Sequence, residues 1–109
     1  MDVTVSSRHI DLSSEQEAIV RRKLVNLVRI VGGMDRANVH FTEERNPRIA
    51  AREVCEVVLE GHGHQVIAKG SASDPIAAID ATIEKLEHQL LSLKSRMMAR
   101  YHGKAHKTA

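Results

Sequence analysis

Aromatic residues, cysteines and long apolar runs are scarce in this sequence. Only 2% of the 109 residues are aromatic and none is Trp, which excludes the base-stacking platforms of single-strand RNA binders. The single cysteine, Cys55, cannot form an internal disulfide, and the valines around it predict a buried, unreactive thiol. No apolar run approaches the roughly 20 residues of a membrane helix, and no signal-peptide pattern opens the chain. We expect a soluble cytoplasmic protein with no membrane partner.

Motifs for catalysis or metal binding are also missing. The sequence has no nucleophile elbow, phosphate-binding glycine loop or zinc-protease motif, and no potential nucleophile has an identifiable partner base. The histidine pairs His62/His64 and His102/His106 lack the cysteine or carboxylate ligands that would complete a metal site. We therefore expect no enzyme, no metal, no cofactor and no small-molecule substrate.

The apolar periodicity predicts six elements in the order β-α-β-β-β-α. Ser14 and Glu17 have capping-box spacing at the start of the first helix, and Asp74-Pro75 is a typical start for the second. Two apolar helical stripes and an alternating sheet predict an α+β fold, a four-stranded sheet with both helices packed on one face. The predicted elements are strand 1–7, helix 14–31, strand 37–44, strand 54–60, strand 65–69 and helix 74–101.

The loop of Gly61-His62-Gly63-His64 predicts a hairpin between the last two strands, which are therefore antiparallel. Neither an internal repeat nor a second domain is evident. We expect residues 1–101 to form one α+β domain and residues 102–109 to form a flexible basic tail.

Charge is distributed unevenly along the chain. Residues 94–109 hold five basic and no acidic residues, whereas the first 93 residues hold 11 basic and 14 acidic residues. On a helical wheel, one flank of the second helix is basic and polar, and the other carries Asp80, Glu84 and Glu87. This segregation favours contact with a polyanion over a merely solvated face. The basic flank consists of Lys85, Gln89, Ser92, Arg96 and Arg100.

The first helix adds a second group of cations, Arg21, Arg22, Lys23 and Arg29. Alone, this group is typical of a solvated helix face. Two helices on the same side of a sheet can merge their outer surfaces into one basic ridge that binds RNA phosphates by counterion release.

Several sequence segments, taken in their order along the chain, resemble those of the ribosome hibernation-promoting factors. This family includes the ribosome-associated inhibitors once called sigma-54 modulation proteins. The resemblance covers residues 1 to about 100. It depends on Ser7-Arg8-His9 after the first strand, on Lys23-Leu24 and Leu27, and above all on the second helix. That helix contains the segments Asp74-Pro75-x-Ala77-Ala78-Ile79-Asp80 and Lys85-Leu86-Glu87-His88-Gln89-Leu90.

The resemblance implies a non-enzymatic factor that occupies the decoding region of the small ribosomal subunit and silences idle ribosomes. Its implied partners are the small subunit and its rRNA. Members of that family usually have arginine or lysine near His88, Leu91 and Ser92, so the second helix of this chain is less basic than the resemblance implies. The residues expected to contact rRNA are Arg8, Arg21, Arg22, Lys23, Arg29, Lys85, His88, Gln89, Ser92, Lys94, Arg96 and Arg100.

Two other functions fit the sequence. A general double-stranded RNA-binding module would also use an α/β sandwich and phosphate contacts without aromatics. A protein-interaction or dimerisation domain would use the exposed sheet face, on which Val54 and Val58 are expected to point outward.

Overall fold

The computed structural model describes residues 1–46, 48–50 and 52–108, with the backbone alone for residues 100–108. It has the predicted order and the predicted α+β class. The elements are β1 (Asp2–Arg8), α1 (Ser14–Val28), β2 (Met34–Glu43), β3 (Glu53–Gly61), β4 (His64–Ala72) and α2 (Pro75–Thr108).

The four strands form one mixed sheet in the order β1-β2-β3-β4. β1 and β2 are parallel, as a β-α-β crossover through α1 requires, and the other neighbours are antiparallel. The predicted β3–β4 hairpin is confirmed. Because β1 and β4 are the two edges, α1 and α2 each have an unpaired strand edge close by.

The core lies between one sheet face and the two helices. Phe41 and Leu59 from the sheet, Leu24 from α1, and Ile79 and Leu86 from α2 are fully buried. These residues occupy the inward positions of alternating strands and the apolar stripes of both helices, as the periodicity predicted. Within the described residues, no helix is both long and apolar enough to cross a bilayer.

The start of α1 differs from the prediction. The N-cap is Ser13, whose hydroxyl accepts from the Gln16 amide while the Gln16 side chain accepts from the Ser13 amide. The capping box is therefore Ser13–Gln16 and not Ser14–Glu17. Both pairs have the required spacing, but Ser13 has the extended backbone of an N-cap whereas Ser14 is already helical.

The end of α1 also differs, since α1 stops at Val28 and not at residue 31. Ile30 and Val31 continue the apolar pattern, but they pack against the core from a turn. Gly32, with a φ of 73°, reverses the chain, and its carbonyl accepts from His62 Nε2 at 2.6 Å. This hydrogen bond ties the β3–β4 hairpin to the α1–β2 connection.

The second helix begins as predicted, with the Asp74 carboxylate accepting from the Ala77 amide and Pro75 in the first turn. Its helical backbone continues to Thr108, seven residues beyond the expected end, and the molecule is 61 Å long. The division into a domain and a tail at residue 101 stays a prediction. The side chains of His102 and His106 lie outside the described residues.

The outer sheet face is mixed in character. Val54 and Val58 are half-buried there, and Ile67, which pairs with Val58, is 47% exposed. Charged residues alternate in sign around this small apolar patch. Register places Glu60 beside Arg36 and Glu56 beside Lys69.

Candidate nucleic-acid interface

The basic flank of α2 lies along the unpaired edge of β4. Lys85 Nζ donates to the Lys69 carbonyl at 2.6 Å, and Gln89 Nε2 donates to the Ile67 carbonyl at 2.8 Å. Both side chains remain exposed to solvent. Lys85 and Gln89, two of the residues predicted to contact rRNA, therefore also donate hydrogen bonds to carbonyls at the open edge of β4. Unpaired carbonyls at a sheet edge can otherwise pair with a strand of another chain.

One turn further along α2, three residues of the basic flank and the neighbouring His88 line a shallow groove against β4. His88, Gln89, Ser92 and Arg96 enclose it together with Gln65 and Val66, in a volume of about 280 Å³. The structure thus brings together four of the predicted contact residues. We call Lys85, His88, Gln89, Ser92 and Arg96 the β4-side set.

Four cations lie on α1 or at its C-cap, which is Arg29, and two of them are engaged within the protein. Arg21 forms an ion pair with Glu17 at 3.1 Å and donates to the Val3 carbonyl at 2.7 Å, at the outer edge of β1. Lys23 forms an ion pair with Asp80 of α2 at 2.8 Å.

Arg22 and Arg29 are exposed, on the side of α1 facing away from the core. Among the residues whose side chains are described, neither forms an ion pair. These two residues are called the α1 set, and they are the cations of α1 most available to an external anion.

The two sets are separated and do not form the single ridge that the sequence suggested. The Lys23–Asp80 pair shows that the acidic flank of α2 faces α1, and Glu87 lines a groove of about 320 Å³ between the helices with Ile30 and Ile83. Glu84 lies on the same flank, one turn after Asp80. An acidic strip of Asp80, Glu84 and Glu87 therefore lies between the α1 set and the β4-side set.

The remaining predicted contacts lie apart from both sets. Lys94 follows Glu87 by two helical turns, so it projects on the strip side of α2 rather than with Arg96. Only the backbone of Arg100 is described, and its predicted contact stays a prediction.

Arg8 lies at the carboxyl end of β1, in a cleft of about 410 Å³. His9 and Arg45 line the same cleft, and Arg45 Nη2 lies 2.8 Å from His9 Nε2. The sequence analysis did not single out Arg45, because only the pairing of β1 with β2 brings the turn after β2 to Arg8.

Cys55, the only cysteine, is fully buried. Burial raises the pKa of its thiol to about 12, which leaves almost no thiolate at neutral pH. Among the residues with described side chains, no group of three or more His, Cys, Asp or Glu is arranged to hold a metal ion.

Comparison with known proteins gives consistent matches over nearly the whole chain. The family described as "Sigma 54 modulation protein / S30EA ribosomal protein" matches residues 3–98. A ribosome hibernation promoting factor of Azotobacter vinelandii is 27% identical over 103 residues, covering 94% of this chain and 92% of that protein. One from Pseudomonas putida is 26% identical over 110 residues, covering 96% and 98%.

Solved structures show the same fold. The protein Y amino-terminal domain of Thermus thermophilus superposes with a TM-score of 0.72 at 23% identity, covering 85% of this chain and 99% of that one. A ribosomal subunit interface protein from Coxiella burnetii gives 0.73 at 18% identity, covering 87% and 99%. With the family match spanning residues 3–98, the chain belongs to the Sigma 54 modulation protein / S30EA ribosomal protein family.

Proposed function

We propose that this chain is a ribosome hibernation factor that acts in the cytoplasm. In this proposal it occupies the decoding region of the small ribosomal subunit, where its helix side contacts rRNA and excludes the ligands of active translation. Family membership supports the ribosome-associated role, and two relatives are named ribosome hibernation promoting factor.

The observation that carries the rRNA contact is the pair of exposed cationic sets on the helices. The α1 set and Arg96 of the β4-side set form no ion pair within the described side chains, so their guanidinium groups are available to phosphates. Arginine binds phosphate through several fixed donors, and each contact releases condensed counterions. Binding should therefore be strong at low salt and weaken steeply as salt rises.

The mechanism needs no chemical step. Both helices pack against the sheet through one buried core, and the helical backbone of α2 continues to Thr108. A factor of this shape inhibits by occupying space, so its effect depends on how much of it is bound. The lack of aromatic platforms is consistent with recognition through backbone phosphates and shape rather than base stacking.

Sedimentation with purified small subunits over a salt series tests the proposal. We expect saturable binding that an RNA duplex does not compete away. The double variant Arg22→Ala/Arg29→Ala and the single variant Arg96→Ala should each bind more weakly. Each lost phosphate contact should reduce the slope of log K against log salt by roughly 0.7 to 0.9.

The matched control is Arg36→Ala, which removes an arginine from the outer sheet face. It should bind like the wild type. Equal capture by free duplex would support a general double-stranded RNA-binding module in place of a ribosome factor. No capture by either RNA would leave a protein-interaction role for the sheet face around Ile67.

A further inference from the structure

Two of the three residues of the acidic strip of α2, Glu84 and Glu87, have no ion-pair partner among the described side chains. Asp80 is neutralised by Lys23 at 2.8 Å. Glu84 and Glu87 are both exposed. Asp80 and Glu84 are four residues apart and Glu84 and Glu87 are three apart, spacings at which like charges weaken a helix slightly.

The strip lies between two surfaces that attract phosphate. On one side is the α1 set, and on the other is the β4-side set, whose Lys85 reaches the Lys69 carbonyl at the β4 edge. A nucleic-acid backbone that crossed both helices in one continuous path would pass over Glu84 and Glu87. Repulsion there opposes the attraction gained on either side.

The size of this repulsion is large enough to influence binding. A carboxylate about 8 Å from a phosphate weakens association roughly twofold if the effective dielectric constant is that of water. At half that dielectric constant the weakening is roughly sixfold. Two such residues give an effect on the order of tenfold at low salt, and screening reduces it at physiological ionic strength.

We propose that Glu84 and Glu87 are specificity-determining residues that reject a continuous RNA duplex. The accepted partner is folded RNA that presents two separate backbone segments, one to the α1 set and one to the β4-side set, and leaves the strip uncovered. This inference rests on the proposed function, since it concerns which RNA the two basic sets select. Specificity of this kind arises from a repulsive element placed against the wrong partner.

The experiment compares two RNA-containing partners and three forms of the 109-residue chain. The first partner is a regular RNA duplex of about 20 base pairs, which is long enough to span both helices. The second partner is the intact small ribosomal subunit. The proteins are the wild type, Glu84→Gln/Glu87→Gln, and the control Asp2→Asn/Glu56→Gln. The control makes the same change of net charge on the outer sheet side, away from the helices.

We expect the Glu84→Gln/Glu87→Gln protein to bind the duplex about three- to tenfold more tightly at low salt than the wild type does. Its affinity for the small subunit should change less than twofold, so its selectivity falls. The control should leave the duplex affinity within twofold of the wild type.

Unchanged duplex affinity in the strip variant would overturn the inference. An equal rise in the control would do the same, because it would show a general effect of net charge. Failure of the wild type to bind small subunits would refute the proposed function, whereas the duplex measurements would still show whether the strip repels a continuous backbone.

Discussion

Gly70 of β4 packs directly against Ala81 and Thr82 of α2, and replacing it by alanine should displace the helix. A methyl group at this position would lie 2.7 Å from Thr82 Oγ1 and 2.8 Å from the Thr82 backbone nitrogen. Thr82 is fully buried, and its single hydroxyl proton is shared between the Ala78 carbonyl, at 2.8 Å, and the Cys55 carbonyl, at 3.2 Å. Because one close neighbour is a backbone atom, a rotamer change cannot relieve the contact.

Overpacking of this kind costs roughly 1–3 kcal/mol. The substitution also restricts the unfolded chain, which returns about 0.4–1 kcal/mol of stability. Together these two effects allow a net loss between about 0 and 2.6 kcal/mol. Because the Thr82 backbone nitrogen cannot move independently of α2, we expect Gly70→Ala to lower the free energy of unfolding by about 1–2 kcal/mol. For a chain of this size, that corresponds to a decrease in Tm of roughly 4–10 °C.

Urea denaturation followed by far-UV circular dichroism measures this change, and Ser71→Ala at the adjacent exposed position is the control. The control should alter stability by less than about 0.5 kcal/mol. A Gly70→Ala protein as stable as the wild type, or more stable, would refute the reasoning. It would show that α2 and β4 have room for a methyl group and that Gly70 does not set their separation.

Three further predictions concern single groups. Cys55 should react with a thiol reagent far more slowly in the native protein than in urea, because its native pKa is about 12. Burial, with the charges of Glu43 and Asp74, raises the pKa of Glu53 above 4.5. The folded state therefore holds that proton more tightly than the unfolded state, and stability falls as pH rises through the folded pKa. Glu53→Gln should raise Tm at pH 7 but not below pH 4.5. Gln16→Ala should lower stability by about 0.5–1 kcal/mol in thermal denaturation, since it removes half of the capping box of α1.

The elements and the core were predictable because each depends on periodicity within one segment. Alternation placed Phe41 and Val39 inward on β2, and a spacing of three and four placed Leu86 and Leu90 on the buried stripe of α2. The boundaries of α1 were less predictable. Two capping pairs fit the sequence equally well, and apolar residues that follow a helix can pack from a turn as well as from another helical turn.

Membership in the family was also accessible from the sequence, because the motifs of α2 and the order of elements are linear features of the chain. The same holds for the uneven charge of residues 94–109 and for the opposite flanks of α2. A helical wheel requires only that the segment be a helix.

Tertiary structure alone decided which cations are available to a partner. Lys23 and Arg22 are adjacent in sequence, yet Lys23 is paired with Asp80 across the helix interface while Arg22 faces away from the core. Lys85 donates to a carbonyl of the edge strand β4. A helical wheel of α2 contains no information about which strand lies next to the helix. Local periodicity predicted the basic flank of each helix. The relative placement of the two helices depends on side-chain packing between segments that are distant in sequence. For this reason only the assembled fold placed an acidic strip between the α1 set and the β4-side set.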